Sequence, residues 1–503
     1  MKEEQASAPR TPRKKVGWFI VSAIVLFAAV GAGIYFYSSY LKKKTADPME
    51  CVPADAVFVI HALKHDVFFS AAKECEPFFE DAFSLEALNG IAYFLSQFTA
   101  AEVNRQPLVV SGHQVGDKNA LLASVRIKKQ DFERLLETLK ITENNYIKYK
   151  LNKIYEIGTH YRTFYFCFHD GLFTVAENLD LIKKSLDVMG SQGSLTAQKS
   201  FEPLKSLMEK NRKQTWLVVN HARLVENQKE NLDAEFQSVF GELQQLAEWS
   251  AYQVQFVNGE LCLSGYSTVK EGSRLQRMFG ASPYPVAIPE QLIPASIGNY
   301  MLFNFSDVDL FTQVHGVQES EKNEFKTLNT NEVHYFTLSD SVTHRYLMVH
   351  GDTSERYLCA LLPENHTPDS VSNSGTYTSG LQDFTPVLFS GIPMRPACFL
   401  VRDGYFVFAE SEEDLKLYLK EIFLSKTLDK NQLYINLTAD GRLSNECCYE
   451  FLLQNNHQEL GDYLNPKWVK SKSKLLNIKY VLVNVFPAAG QVVPNNVFLR
   501  FNP

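Results

Sequence analysis

The chain has 503 residues, 45% of them hydrophobic and 21% charged, with a formal net charge of −7. That composition excludes a disordered chain, and the length excludes a single core, since one core stops growing at about 250 to 300 residues.

In chain order, residues 1–15 form a short basic lead with Lys2, Arg10, Arg13, Lys14 and Lys15. Residues 16–41, VGWFIVSAIVLFAAVGAGIYFYSSYL, then carry no charge for 26 positions. At about 1.5 Å per helical residue this stretch crosses a hydrocarbon layer of ~30 Å. A cleavable signal peptide has an apolar region of about 7 to 15 residues, so the stretch predicts an uncleaved transmembrane helix, with Trp18, Tyr35, Tyr37 and Tyr40 at the interfaces. Lys42, Lys43 and Lys44 follow it, against five basic residues before it. That bias predicts a cytoplasmic N-terminus and an extracytoplasmic body. Residues 1–44 hold eight Lys/Arg against Glu3 and Glu4, a net +6, so the remainder carries −7 − 6 = −13. An acidic body argues against phosphate-bearing partners, nucleic acid and anionic lipid alike.

The body opens with VPADAVFVIHALKHDVFF (52–69), a strand leading to an aromatic-rich helix start. His61, His65 and Asp66 are its one metal-like group, because histidines four apart share a helix face. His61 belongs to the apolar strand run, however, so the rings need not share a face, and no third ligand is identifiable. QDFERLLETLK (130–140) sets Phe132, Leu135, Leu136 and Leu139 on one helical stripe. TFYFCFH (163–169) and LFTVA (172–176) flank Asp170-Gly171, a hairpin turn. Asn178 then caps a helix that Gly190 ends. WLVVNHARL (216–224) reads as a strand, and NLDAEFQSVFGELQQLAEW (231–249) as an amphipathic helix.

ASPYPVAIPEQLIP (281–294) has four prolines in fourteen residues and reads as a semi-rigid linker. Beyond it the pattern starts again. IPASIGNYMLFNFSDVDLF (293–311) matches the first opening, and DGYFVFAES (403–411) repeats DGLFTVAEN (170–178) at an offset of 403 − 170 = 233 residues, with Ser411 in the capping position. The Ser/Thr-rich stretch 364–380 reads as an exposed loop. LYINLTADGRL (433–443) reads as the strand matching 216–224. The predicted fold is α+β: an N-terminal transmembrane helix, then two related domains of mainly antiparallel sheet flanked by helices, at 48–280 and 295–503 with the linker between.

No G-x-G-x-x-G, Walker, H-E-x-x-H or G-x-S-x-G pattern occurs. Asp170, Asp403, Glu177 and Glu410 recur with the repeat, and as turn and strand-exit residues they need no catalytic role. His334, His344 and His350 are scattered singly and read as surface or turn residues. The eight cysteines, at 51, 75, 167, 262, 359, 398, 447 and 448, include no C-x-x-C and read mostly as small buried apolar residues. Asn304, Asn365 and Asn436 begin N-x-[ST] triplets, a pattern chance supplies at this length, two of them in predicted strands. The sequence thus predicts no catalytic, cofactor or metal residue.

With its Pro-Ala-Asp opening strand, its Asp-Gly hairpin with the following helix and its N-terminal anchor, the chain resembles single-pass bacterial envelope proteins whose extracytoplasmic region is a domain of unknown function. The resemblance implies a Gram-negative inner-membrane anchor and a periplasmic body spanning most of residues 48–503. The expectation is a binding or scaffold protein, not an enzyme, that uses its N-terminal helix to sit in the membrane and other envelope proteins as partners, in envelope biogenesis, protein export or folding. The rival expectation is a hydrolase-like enzyme with its site between the two repeats.

Overall fold

The computed structural model describes residues 46–63, 69, 85–98, 106–142, 145–158, 162–229, 247–269, 288–305, 330–339, 343–351, 376–379, 394–454 and 478–501, less positions 117, 212, 258 and 445. The expected transmembrane segment, most of the linker, His65, Asp66, Asn365, Cys75 and Cys359 lie outside these residues. Among the described residues no helix is long and apolar enough to cross a membrane.

Among the described residues nineteen strands are present. The first ten are β1 (Phe58–Ala62), β2 (Leu108–Val115), β3 (Lys118–Arg126), β4 (Ile147–Tyr149), β5 (Asn152–Gly158), β6 (Thr163–His169), β7 (Leu172–Ala176), β8 (Trp216–Asn220), β9 (Ala247–Val257) and β10 (Glu260–Val269). The other nine are β11 (Ile297–Asn304), β12 (Glu332–Ser339), β13 (Thr343–His350), β14 (Thr376–Thr378), β15 (Cys398–Arg402), β16 (Tyr405–Ala409), β17 (Tyr449–Gln454), β18 (Ile478–Val485) and β19 (Val492–Phe501). All pair antiparallel in one sheet. From edge to edge the order is β4-β5-β6-β7-β3-β2-β1-β8-β9-β10-β19-β18-β17-β11-β12-β13-β16-β15-β14.

Counted outward from the central β10–β19 pair, the two flanks follow the same plan: β9, β8, β1, β2, β3, β7, β6, β5 on one side and β18, β17, β11, β12, β13, β16, β15, β14 on the other. Local detail repeats as well. Asp170 and Gly171 have φ of 48° and 80°, Asp403 and Gly404 48° and 83°, the two positive values that a tight hairpin turn requires. The amide of Leu195 donates to Val52 O at 2.9 Å, and that of Leu428, 233 positions on, donates to Ile293 O at 2.7 Å.

Seven α-helices are described: α1 (Leu85–Ser96), α2 (Lys129–Thr138), α3 (Leu179–Val188), α4 (Glu202–Lys210), α5 (His221–Gln228), α6 (Glu412–Phe423) and α7 (Gln432–Ala439). Asn178 Oδ1 caps α3 by accepting from Asp180 N (2.8 Å) and Leu181 N (3.2 Å), and Ser411 Oγ caps α6 by accepting from Asp414 N (3.2 Å). Helices α3 and α6 follow β7 and β16 and lie on the same side of their flanks. Helices α1 and α2 pack on the opposite face, where Ala87, Ile91, Phe94, Phe132 and Leu135 meet Phe164, Phe166 and Phe173. Covered on both faces, β7 and β16 are buried throughout, so their sequences are apolar at nearly every position instead of alternating.

Four local expectations are corrected. The strand expected over 216–224 ends at Asn220, whose side chain caps helix α5 from His221 onward. Residues 433–439 belong to helix α7, not to a strand, and Asn436 with them; the strand equivalent to β8 is β17. The Asn431 side chain accepts from Tyr434 N at 3.1 Å and starts the helix there, overriding the apolar alternation of LYINL. Residues 247–249 open β9 and do not end a helix, because Trp249 is buried among Phe201, Leu204 and Trp216 on the sheet. Within 364–380, Thr376–Thr378 form β14, paired with β15, so an aromatic between two threonines completes the sheet edge.

Candidate functional site

Polar groups inside this fold gather in three places. The first is the joint between the flanks. Glu260 on β10 accepts from Arg442 Nη2 (2.8 Å) and from the Tyr480 hydroxyl (2.7 Å), while Arg442 Nη1 reaches Cys262 Sγ at 3.2 Å and its guanidinium lies 4.5 Å over the Phe498 ring. Farther along the same strand pair, Ser267 bonds Ser250 (2.6 Å) and accepts from Asn495 Nδ2 (2.8 Å). These groups engage one another across the joint and so fasten it.

The second place is the end of the first flank, where the β2–β3 turn meets the exit of β7. Ser111 and His113 alternate on β2 and share a face. Ser111 Oγ lies 2.8 Å from His113 Nε2, and His113 Nδ1 lies 3.7 Å from Asp55 Oδ1, which leaves a gap. Lys184 of α3 grips the other Asp55 oxygen. Burial lowers the His113 pKa and keeps the ring neutral. Burial works to raise that of Asp55, but His113 and Lys184 more than reverse it and hold the carboxylate ionised. Next to this row is a cavity of about 70 Å³ lined by Phe58, His113, Asn119, Glu177, Leu224 and Asn227. Arg162 pairs with Glu177 Oε2 at 2.6 Å, and Oε1 is buried without a partner. Ser, His and Asp stand in the order that moves a proton off a nucleophilic hydroxyl, yet Ser111 and His113 are buried. The cavity is several-fold smaller than the roughly 300 Å³ at which small-molecule pockets begin.

The third place is the interior of the second flank. The Tyr300 hydroxyl meets His334 Nδ1 (2.9 Å), His334 Nε2 faces Glu332 Oε1 (3.5 Å), and Tyr405 donates to that same oxygen (2.7 Å). Burial opposes ionisation of Glu332, but His334 and Tyr405 outweigh it and lower its pKa. Glu450 on β17 is wholly buried, with Oε1 unpartnered and Oε2 taking only a long bond of 3.4 Å from Ser444 N. Burial pushes its pKa up to about 8, so it is neutral at pH 7.

These arrangements revise several readings of the sequence. His334 is a core residue, not a surface one, and His344 is a partner of Asp414 (2.6 Å); only His350 is exposed, at the end of β13. His61 lies in β1 as expected, and among the described residues no group of three or more His, Cys, Asp and Glu is placed to hold a metal. Asp170 and Asp403 are turn residues. Glu177 and Glu410 sit at strand exits as expected, each beside an arginine, Arg162 and Arg345 respectively. Cys51, Cys167, Cys262, Cys398, Cys447 and Cys448 are buried free thiols. Reading by motif missed Ser111, His113 and Glu450; their signal was polar residues in otherwise apolar strands, SGH in β2 and the acid of YEFLL in β17.

No family model matches the chain, and no curated protein matches it. One solved structure, described as crystal form I of TP0453, is similar over 46% of this chain and 84% of that one, at 10% identity and a TM-score of 0.24. A likeness at that level carries nothing about fold or function.

Proposed function

We propose that the chain is a membrane-anchored periplasmic binding or scaffold protein, an accessory factor in envelope biogenesis, protein export or folding. Residues 16–41 are its inner-membrane helix and 48–280 and 295–503 its two related domains. The observation that carries this reading is the duplicated strand order about the β10–β19 joint. Such an arrangement offers two similar surfaces on one frame, while its interior polar groups are largely engaged with one another. Tethering to a membrane raises the effective concentration for partners in the same membrane. The test is in-cell crosslinking of the full chain, extracted with its anchor, followed by mass spectrometry. One defined membrane complex, crosslinked on one face of the sheet, is expected; the absence of any specific partner would sink the proposal.

The second reading, a hydrolase-like enzyme, draws on the Ser111–His113–Asp55 row. It does not draw on the joint between the repeats, whose polar groups are engaged with each other. A fluorophosphonate probe that labels Ser111 in the folded protein, with labelling lost in His113→Ala, would favour it.

A further inference from the structure

Ala46 is fixed to the sheet. Its amide donates to Asp170 O at 3.3 Å in the β6–β7 turn, and its carbonyl accepts from Arg126 Nε at 3.1 Å. If residues 16–41 are the membrane helix, only four residues separate that helix from Ala46. At no more than about 3.6 Å per residue, the β6–β7 turn is held within roughly 18 Å of the membrane surface. Tether length therefore selects which end of the strands faces the lipid.

The same end carries an unusual hairpin. Strand β5 pairs with β6 as Ile154↔Cys167, and continuing that register brings the Lys150-Leu151 turn level with Asp170-Gly171. The two turns lie about two strand spacings, ~10 Å, apart. Leu151 is 99% exposed, beyond any other large apolar side chain among the described residues. Around it Lys148, Lys150 and Lys153 are exposed, and the hairpin sequence YIKYKLNKIY (146–155) holds no acid. Lys153 Nζ lies 4.6 Å over the Tyr146 ring, and Tyr149 is flanked by Lys150 (5.5 Å) and Lys183 (6.0 Å). Lys128 and Lys129 open α2 at this end, where Ile127 N donates to Gly171 O at 3.0 Å. Acids are present here as well: Asp187 pairs with Lys150, Glu133 with Lys129 and Asp170 with His169.

We propose that the β4–β5 hairpin is a lipid-contact element in which Leu151 enters the headgroup layer of an anionic leaflet beside the protein's own anchor, with Lys148, Lys150 and Lys153 on the lipid phosphates and Tyr146 and Tyr149 at the interface. This rests on the transmembrane reading of residues 16–41. The net −13 of the body does not oppose it, because charges more than a Debye length of about 8 Å from the surface are screened and only the near end is felt. Lysines close to an anionic surface attract it individually, and interfacial tyrosines suit the same depth. Tied to the membrane at Ala46 and again at Leu151, the sheet would stand upright, with the β2–β3 turn and its cavity at the far end.

The test uses the full chain in phosphatidylcholine vesicles with and without phosphatidylglycerol, with Cys75 and Cys359 replaced by serine. An environment-sensitive fluorophore is placed on Leu151→Cys or, as a control at the far end of the same sheet, on Lys118→Cys. The expected result is retention after alkaline extraction, with a blue shift and quenching by lipid-borne nitroxide at 151 but not at 118, only where phosphatidylglycerol is present. Both signals should be lost in a Lys148→Glu, Lys150→Glu, Lys153→Glu background. A chain that stays in the vesicle while the probe at 151 is as water-exposed as that at 118 overturns the lipid contact and leaves the anchor intact. A chain released by alkali overturns the anchor, and the contact with it.

Discussion

Glu450 is an acid inside a core, and its consequence can be measured. In the unfolded chain its carboxyl titrates near 4.3, whereas burial raises the folded value to about 8. Between those values the folded state binds more protons than the unfolded one, so stability falls as pH rises through the window. At about 1.4 kcal/mol per unit the loss has an upper bound of roughly 5 kcal/mol. Glu450→Gln keeps the shape and removes the titration: the variant should match the parent at pH 4, below the unfolded value, in chemical denaturation and exceed it by a few kcal/mol at pH 8. Equal pH dependence in both would show that Glu450 is not the group responsible. Gly265 is a steric case instead. A Cβ there would meet Ala251 O at 2.0 Å, and the obstruction is backbone, so Gly265→Ala should destabilise the fold by about 2 kcal/mol on the scale of overpacked sites, read as a lowered denaturation midpoint. Neither residue was marked as special in the sequence, because burial of a lone acid and closeness of a neighbouring strand are long-range facts. The Asp170 and Asp403 turns and the caps at Asn178 and Ser411 were legible, since four or five adjacent residues decide them.

At the scale of elements, the joint shows why some helices and strands were read well and others were not. Strands β6, β7, β15 and β16 have the apolar runs and turn residues that declare themselves, whereas β14 is three residues long and exists because β15 offers it an edge. Helix α7 replaced an expected strand because its Asn431 cap and the tertiary burial of Tyr434 and Leu437 outweigh alternation. The interaction that fastens β10 to the second flank was invisible for a related reason: Glu260, Arg442 and Tyr480 are 182 and 220 positions apart. Removing one member of a buried pair leaves a charge without compensation, at a cost of about 3 to 5 kcal/mol. Arg442→Ala should therefore destabilise by about that amount, and Glu260→Gln combined with Arg442→Met by markedly less. Hydrogen exchange should quicken in β10 and β19 before β3 and β7 in the single variant. Uniform quickening along the sheet would mean that the joint is not a separate point of weakness.

For the whole molecule, the decisive feature is that β10 and β19 hold equivalent places in the two flanks and pair with each other. Their register is reciprocal: the start of β10 faces the end of β19 at Glu260↔Arg500, and its end faces the start at Thr268↔Val492. That is the geometry of a two-fold contact between like surfaces, here made within one chain. It follows that a chain cut to residues 46–280 ends with β10 as an open edge. Such an edge has unpaired amides and carbonyls that recruit another strand, and the readiest one is β10 of a second copy in the same antiparallel register. We expect this fragment to form a dimer in light scattering. The dimer should be weaker than the native joint, because Glu260 would lose Arg442 and Tyr480 and two such acids would be buried in one interface. A fragment that remains monomeric and soluble would show that the pairing depends on the second flank's own side chains and not on the shared geometry of the edge.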